Sequence, residues 1–310
     1  MTPKVSVIIP AYQDAEHIGA AVDSVLAQTY LDREVIVVDD GSTDDSLRVL
    51  SAYGDAIRVI SQPNRGPSAA RNLGIQQSQG EWVAFLDADD VWLPEKLALQ
   101  MPLFQKGNGV GLVCSDTYFV DSLGLRPRTG FMDNPPRSGR VLKTIFTASF
   151  IPTSTVVVRK ACLDQVGGFD ESLRACEDLD LWLRIAAEWE IDFVPEPLAH
   201  YRISEGQLSS QRVNMLKGLV TVLDRAYQRW PELRALSRAE LDGSYYAAYL
   251  RLASAYLRAG QFKEVRQTLA NYHQKRGMTW QSLVLWGVSL LPKSLGAAAA
   301  RTLQKIRARG

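Results

Sequence analysis

The chain has 310 residues, 46% hydrophobic and 22% charged, with 22 Gly, 14 Pro and a formal net charge of +1. That balance leaves room for one large or two medium domains with a buried core, and it excludes collagen-like, low-complexity and wholly disordered chains. The small net charge hides a split: residues 1–205 hold 18 Lys and Arg against 29 Asp and Glu, a net −11, whereas residues 206–310 hold 17 against 5, a net +12. No acidic residue follows Glu264. An acidic module followed by a basic one is implied, the basic end either meeting an anionic surface or forming a solvated helix face. Cys114, Cys162 and Cys176 lack a paired or metal-ligand spacing, which predicts reduced packing thiols in a cytoplasmic setting. Met1–Ile9 carries one Lys before an apolar run that meets Pro10, unlike a signal peptide. The most apolar late stretch, Ser282–Ala300, is interrupted by Pro292 and Lys293, short of the ~20 residues that a spanning helix needs.

Along the first third, short β-branched runs alternate with amphipathic segments of helix length, the pattern of βαβ units and a parallel sheet. Val5–Ile9 reads as a buried strand. Ala15–Gln28 reads as a helix with Ile18, Ala21, Val22, Val25 and Leu26 on one face. A strand over Val35–Val38 runs into Asp39-Asp40-Gly41-Ser42, and Thr43 is placed to cap a helix over Asp44–Tyr53. Ile57–Ser61 is a third strand, a loop over Gln62–Pro67 leads to a helix over Ser68–Gln77, and the run Trp82–Leu86 ends in Asp87-Ala88-Asp89-Asp90. Acids thus follow two separate strands, at the edge where ligands bind in open α/β sheets.

Further on, the spacing predicts a helix over Pro94–Gln105, a strand over Leu112–Val120, and a Pro-, Gly- and Arg-rich loop over Asp121–Ser138 bending across the crevice. Thr155–Val158 returns to the sheet, Glu177–Trp189 forms a helix that begins with acids, and Phe193-Val194 and Leu198–Arg202 are short closing strands. After Gln211 the period is helical almost throughout. Ser244–Gln274 resembles one tetratricopeptide-type helix pair, which needs a neighbour to pack on. The expected division is residues 1–210 and residues 211–310.

Asp87-x-Asp89, with Asp90 beside it, offers hard oxygen ligands suited to Mg²⁺ or Mn²⁺ carried on a phosphate group. Taken alone, the same acids would serve as a helix cap before the helix that follows. Their company is more specific. Val5-Ser-Val-Ile-Ile-Pro-Ala-Tyr12, Val37-Val-Asp-Asp-Gly-Ser-Thr-Asp44, Asn64-Arg-Gly-Pro-Ser-Ala-Ala-Arg-Asn-Leu-Gly74, Gly80-Glu-Trp-Val-Ala-Phe-Leu-Asp-Ala-Asp-Asp90 and Glu177-Asp-Leu-Asp-Leu-Trp-Leu-Arg184 occur in that order. Over about residues 4–205 the set resembles the family 2 glycosyltransferases of the GT-A fold.

The resemblance implies an α/β catalytic domain with a Rossmann-like, mostly parallel sheet flanked by helices, followed here by an α-helical C-terminal region. It implies an inverting, metal-dependent transfer from a nucleotide-sugar, a UDP-sugar being favoured, to an acceptor hydroxyl on a glycan or a lipid-linked carrier in cell-surface glycan synthesis. On matched positions, Pro10, Ala11 and Tyr12 wall the nucleotide and Asn64 belongs to its loop. One of Asp39 and Asp40, with Asp40 preferred, takes the imino hydrogen of the base. Arg71 approaches the base or diphosphate, and Asp87 and Asp89 meet ribose and metal, with Asp89 the direct ligand. Asp178 is the expected base, since an acceptor hydroxyl is a poor nucleophile near neutral pH. Glu177 supports it, Asp180 and Arg184 brace the helix, and Trp182 is most simply core. Relatives often carry a His after Tyr-Arg-x; here Tyr201-Arg202-Ile203 is followed by Ser204, and His200 is the substitute offered for the third metal contact.

Two other readings compete. Leu86-Asp87-Ala88-Asp89 with Val91 also fits the nucleophile motif of a haloacid-dehalogenase-like phosphotransferase, and a non-catalytic nucleotide-sugar binder or assembly protein would make the helical tail its working part. No G-x-G-x-x-G or G-x-x-x-x-G-K-[ST] sequence is present, against dehydrogenase and P-loop readings. The tail joins Trp280, Leu283, Leu285, Trp286, Leu290 and Leu291 to Arg301, Lys305, Arg307 and Arg309. That combination suits peripheral contact with the inner face of the cell membrane, packing on the catalytic domain, or a homodimer. Nucleic acid is not expected, because no nucleic-acid motif or interleaved aromatic series accompanies the basic residues.

Overall fold

The computed structural model describes residues 4–105, 109–122, 124–203 and 210–291. The chain divides into two compact units, one of Met1–Leu173 with Glu177–Glu205 and one of Arg174–Cys176 with Gly206–Gly310.

In the first unit, β1 (Val5–Ala11) is buried at every residue except Pro10, the continuous apolar pattern of a strand covered on both faces. After α1 (Ile18–Leu26), β2 (Arg33–Asp39) pairs with β1 in parallel, and after α2 (Ser46–Ser51), β3 (Arg58–Ser61) pairs with β2 in parallel. The chain then returns through α3 (Pro67–Gln77) to β4 (Trp82–Phe85), which lies parallel to β1 on its other side. Next come β5 (Val91–Trp92), α4 (Lys96–Gln100), β6 (Val110–Asp121), β7 (Gly124–Thr129), α5 (Gly130–Asp133), α6 (Leu142–Thr147), β8 (Val157–Arg159), α7 (Lys160–Val166), α8 (Glu177–Glu188) and β9 (Glu190–Arg202). Among the described residues one sheet runs β3-β2-β1-β4-β8-β6-β9-β5, with β7 on β6. Antiparallel β8 separates β4 from β6, and β9 is parallel to β6, so the carboxyl ends of β1, β2, β4 and β9 share an edge with the start of β8. Val7, Ile9, Val22, Val25, Val37, Leu86 and Trp92 lie in the main apolar cluster.

Several local expectations need correction. The helix expected over Pro94–Gln105 is the short α4 followed by a 3-10 turn over Met101–Gln105. The expected loop after Asp121 contains β7, which folds back on β6 with Gly124 at φ 105°. The amides of Thr117 and Phe131, each donating to Asp116 Oδ1 at 2.8 Å, tie that excursion down. Thr43 does not cap α2; Asp44 Oδ1 accepts from Ser46 N instead. The two closing strands are one strand, β9, which continues through Pro195 and Pro197 with its register against β6 shifted near Asp116.

The second unit is helical among its described residues: α9 (Ser210–Arg229), α10 (Arg238–Gly243), α11 (Tyr245–Arg258), α12 (Phe262–Arg276) and α13 (Trp280–Ser289). The hydroxyls of Tyr245 and Tyr249 donate to Asp224 at 2.5 and 2.6 Å, and Lys275 Nζ stands 3.3 Å from the same carboxylate. Ala253, Leu257, Phe262, Val265, Leu269 and Leu285 close an apolar cluster between α11, α12 and α13. No helix among the described residues is long and apolar enough to cross a membrane, and Pro292, Lys293 and Arg301 to Arg309 of the basic tail lie outside them.

Gly80 sits where β4 begins, and a methyl group there would lie 2.7 Å from Ser6 N and 2.8 Å from Lys4 O, both main-chain atoms. Gly80→Ala is expected to cost about 1–3 kcal/mol, because neither neighbour can withdraw without breaking a strand. Chemical unfolding checks this, and a midpoint equal to that of the parent would contradict it.

Candidate active site

The shared strand edge is where most of the sequence-predicted site residues lie. Ala11 O accepts from Asp40 N at 2.8 Å, which fixes the loop after β2 against the end of β1. Gln13, at φ 52°, completes the clasp: its Oε1 accepts from the amides of Thr43 and Asp44 at 3.1 Å, and its Nε2 donates to Thr43 Oγ1 at 2.8 Å. Tyr12 projects beyond this clasp, half exposed. Gly41, at φ 81°, has no room for a side chain, since a methyl group would lie 2.9 Å from Asn64 N. Asn64 itself is exposed on the loop that faces Gly41.

Asp39 and Asp40 are both buried but differently used. Asp40 Oδ1 accepts from Gln62 Nε2 at 2.6 Å and Arg65 N at 2.9 Å, and its Oδ2 from Gly66 N at 2.8 Å, so this carboxylate organises the loop before α3. Asp39 Oδ1 accepts from Ser42 N at a longer 3.2 Å.

Arg71 stands at the centre of the edge. Pro67 opens α3 without leaving an orphan amide, and one turn later the Arg71 side chain is inside, 7% exposed. Its Nη2 donates to Asp87 Oδ1 at 2.6 Å and its Nη1 to Glu177 Oε1 at 3.0 Å, while the guanidinium packs 5.2 Å from the Phe169 ring centre. Burial alone would lower its pKa; the carboxylates of Asp87, Glu177 and Asp178 outweigh that and raise it, so it stays cationic. Arg71 Nε is buried without an acceptor.

The Asp87-Ala88-Asp89-Asp90 turn is held from behind. Ser154 Oγ accepts from Asp87 N at 3.1 Å and donates to Asp90 Oδ2 at 2.5 Å, and Trp92 Nε1 donates to Ser154 O at 2.6 Å. Arg202 N donates to Asp90 Oδ1 at 2.8 Å and Arg202 Nε to Asp89 O at 3.1 Å. Asp90 therefore anchors the turn to β9. Burial, then Asp87 and Asp89, raise its pKa well above the usual range. Asp89 is also raised, by burial and by Asp87 and Asp14, with His17 opposing; His17 Nδ1 is 2.8 Å from Asp14 Oδ1.

At the start of α8, Asp178 Oδ1 accepts from Leu179 N at 2.7 Å and Oδ2 from Thr153 Oγ1 at 3.2 Å. Burial and then Glu177 raise its pKa. Asp180 pairs with Arg184 Nε at 2.8 Å, and Arg184 donates onward to the carbonyls of Val166, Gly167 and Gly168, the bracing role expected of that pair. Trp182 is fully buried beside Phe85 and Phe169. His200 packs against Tyr118 with ring centres 5.8 Å apart, and burial lowers its pKa.

Four groups in this setting escaped the sequence reading. Ser154 and Thr153 lie in a stretch without a motif, and Tyr201 entered only as a strand residue and as the start of the Tyr-Arg-x pattern, although burial and Asp90, Asp87, Asp89 and Asp178 all raise its pKa. The fourth is the pair of Asp14 and His17, three residues apart, a spacing that is legible locally. The structure thus gathers Asp87, Glu177 and Arg71 directly, with Asp89, Asp90 and Asp178 close by. Among the described residues no group of three His, Cys, Asp or Glu is spaced to hold a metal by itself. Two hard carboxylates on one turn, in a patch with excess negative charge, fit a divalent cation that brings other ligands with it.

The profile of glycosyl transferase family 2 matches residues 6–167. The chain belongs to glycosyl transferase family 2. An uncharacterized glycosyltransferase of Rickettsia prowazekii (strain Madrid E) is 31% identical over 223 residues, 70% of this chain and 69% of the relative. Among solved structures, residues 1–349 of TarS from S. aureus in complex with UDP-GlcNAc superpose with a TM-score of 0.63 at 20% identity, covering 99% of this chain and 92% of that one. The mannosyltransferase PcManGT from Pyrobaculum calidifontis, in complex with GDP-Man and Mn2+, gives 0.59 at 20% identity over 97% and 87%. The family 2 glycosyltransferase is thus an enzyme with a GT-A-like mixed sheet, flanking helices and a helical C-terminal region.

Folding raises the pKa of Asp178, so the folded state keeps its proton to higher pH than the unfolded chain does. Stability is therefore lost as pH rises above the ordinary carboxylate value of about 3.9. Asp178→Asn escapes that loss: its oxygen still accepts from Leu179 N, and its amide NH₂ donates to Thr153 Oγ1 where the carboxylate accepted. Its melting temperature is expected to exceed that of the parent at alkaline pH and to converge on it as the pH is lowered. A variant less stable than the parent at alkaline pH would refute this.

Proposed function

We propose that this glycosyltransferase transfers a sugar, with inversion, from a nucleoside-diphosphate donor, a UDP-sugar, to an acceptor hydroxyl on a glycan or lipid-linked carrier in cell-surface glycan synthesis. The observation that carries the reading is the Arg71 bridge, which ties the Asp87 turn to the Glu177-Asp178 pair and so puts donor-side and acceptor-side carboxylates in one crevice. The UDP-GlcNAc of the TarS complex and the GDP-Man of the PcManGT complex support a nucleotide-sugar donor.

In this reading Pro10, Ala11 and Tyr12 wall the base, with Asn64 on the loop across from them. The imino hydrogen of the base goes to Asp39 rather than to the sequence-preferred Asp40, because the Asp40 carboxylate is already taken by Gln62, Arg65 and Gly66. Asp89 would hold Mn²⁺ or Mg²⁺ with Asp87 beside it, and Asp90 is an anchor rather than a ligand. When bound, the ion neutralises charge on the departing diphosphate. Arg71 stays charged through the reaction and keeps Asp87 and Glu177 from repelling one another. The acceptor oxygen attacks the anomeric carbon as the bond to the diphosphate oxygen breaks, and Asp178 takes the hydroxyl proton. One displacement with one base inverts the configuration. The raised pKa of Asp178 makes it a stronger base than an exposed carboxylate.

Calorimetric titration with UDP, GDP and dTDP, with and without Mn²⁺, tests the donor site. Metal-dependent binding of UDP is expected, lost in Asp89→Ala. Asp39→Asn should weaken it by roughly 10- to 100-fold, the worth of a hydrogen bond to a charged group. Asp40→Asn should instead lower thermal stability. Failure of all three nucleotides to bind would overturn the reading, and a larger binding loss in Asp40→Asn would return the base to Asp40.

Transfer tests the base. Asp178→Asn should keep nucleotide binding and lose roughly 10²- to 10⁴-fold in kcat. Because the base must be ionised, kcat/KM of the parent should fall as pH drops through a pKa above the ordinary carboxylate range. A product that retains the donor's anomeric configuration, or an Asp178→Asn variant of undiminished kcat, would remove Asp178 from this role.

A further inference from the structure

The last described helix carries apolar residues on its outer side as well as on the side that packs on its own unit. On α13 the buried positions are Ser282, Leu285 and Ser289. The opposite side carries Trp280 at 80% exposure, Leu283 at 44% and Gly287, and the stripe continues past the helix end through Leu290 at 64% and Leu291 at 41%. Just before the helix, Met278 is 71% exposed. These positions recur at three- and four-residue spacing, so they line one face, and that face contains no charge.

The inward serines are fully accommodated. Ser282 Oγ donates to Thr279 O at 2.9 Å and contacts His273 Nε2 at 2.8 Å, while Ser289 Oγ donates to Trp286 O at 2.6 Å. The Thr279 and Ser282 capping box fixes where α13 begins. The helix is thus firmly seated through Leu285, Trp286 and Val288, while Trp280, Leu283, Leu290 and Leu291 face water as a second apolar side, an arrangement that fits a contact surface.

Charge selects the occupant. Residues 206–310 carry a net +12, no acidic residue follows Glu264, and the 19 residues after Leu291 include Lys293, Arg301, Lys305, Arg307 and Arg309. A second copy seated face to face through α13 would bring two such basic units together, and an apolar core partner would leave the cations unused. An anionic bilayer surface takes both, accepting Trp and Leu at the headgroup level and the cations at its negative surface. We infer that the second unit docks on an anionic lipid surface through the Trp280, Leu283, Leu290 and Leu291 face of α13. This inference does not depend on the donor or base assignments.

Cosedimentation of the full chain with vesicles of phosphatidylcholine alone, and with vesicles rich in phosphatidylglycerol, tests it without reference to activity. Binding is expected on the anionic vesicles, should weaken as salt is raised, and should be much poorer on the neutral ones. Leu283→Glu and Trp280→Glu should each reduce it at least tenfold with an unchanged melting temperature. Each of Lys305→Gln, Arg307→Gln and Arg309→Gln should reduce it by about fivefold. Absence of binding to anionic vesicles by the parent would overturn the proposal. So would equal binding to both compositions, or a dimer in light scattering that Leu283→Glu dissociates, which would assign the face to a second copy. Should either α13 variant fail to fold, the parent's dependence on lipid charge and salt still decides the matter.

Discussion

A guanidinium almost without access to water holds the catalytic unit's edge together. Arg71 lies between two carboxylates that belong to distant parts of the chain, Asp87 after β4 and Glu177 at the start of α8. Neither acid could approach the other without it, and a buried cation without them would be untenable. Removing one member of such a buried set typically costs about 3–5 kcal/mol, because the remaining charges are left uncompensated. The position of α8 against the sheet, and with it that of Asp178, is thereby linked to the conformation of the turn that carries Asp89. The Asp87 turn and the start of α8 share one positive charge.

Around that charge the site concentrates more negative groups than it neutralises. Asp89, Asp90 and Asp178 all have pKa values raised chiefly by burial. Each costs folding free energy at neutral pH, which the rest of the unit supplies from a sheet buried on both faces at β1. Asp90 shows how the cost is contained: a serine hydroxyl and a backbone amide of β9 satisfy its two oxygens, so it spends its charge on fixing the turn. The net −11 of residues 1–205 is expressed in part here, where several carboxylates share one buried guanidinium.

How much of this could be read from the sequence depended on whether the information was local. The strands after which acids fall, the helix opened by Pro67 and the apolar face of α8 follow from period and turn chemistry within a dozen residues, and they emerged as expected. The structural support expected of Asp180 and Arg184 takes the form of a direct ion pair one helical turn apart. What the sequence hid is set by pairing across the sheet. Ser154 is an ordinary serine until β8 lies antiparallel to β4 and brings it behind Asp87 and Asp90. Asp39 and Asp40 look interchangeable until the loop before α3 closes on one of them. The excursion after Asp121 has loop composition, yet Gly124 lets it turn back as a strand on β6, a register that no periodicity announces.

The second unit follows a different logic of burial. Its interior is stitched by polar groups as much as by apolar ones: Asp224 gathers two tyrosine hydroxyls and Lys275, and serines occupy the inner face of α13. A buried serine that donates to the carbonyl three residues back needs no partner from another helix, which frees the unit to keep Trp280 and Leu283 on its surface. In a unit whose first concern was its own stability, exchanging Ser289 and Leu290 in the pattern would bury more apolar area at about 25 cal/mol per Å². The sequence forgoes that gain along α13, at the place in the chain where acidic residues have ceased. The two departures coincide because a charged interface needs both, an apolar face to enter it and a uniform sign of charge to be drawn to it.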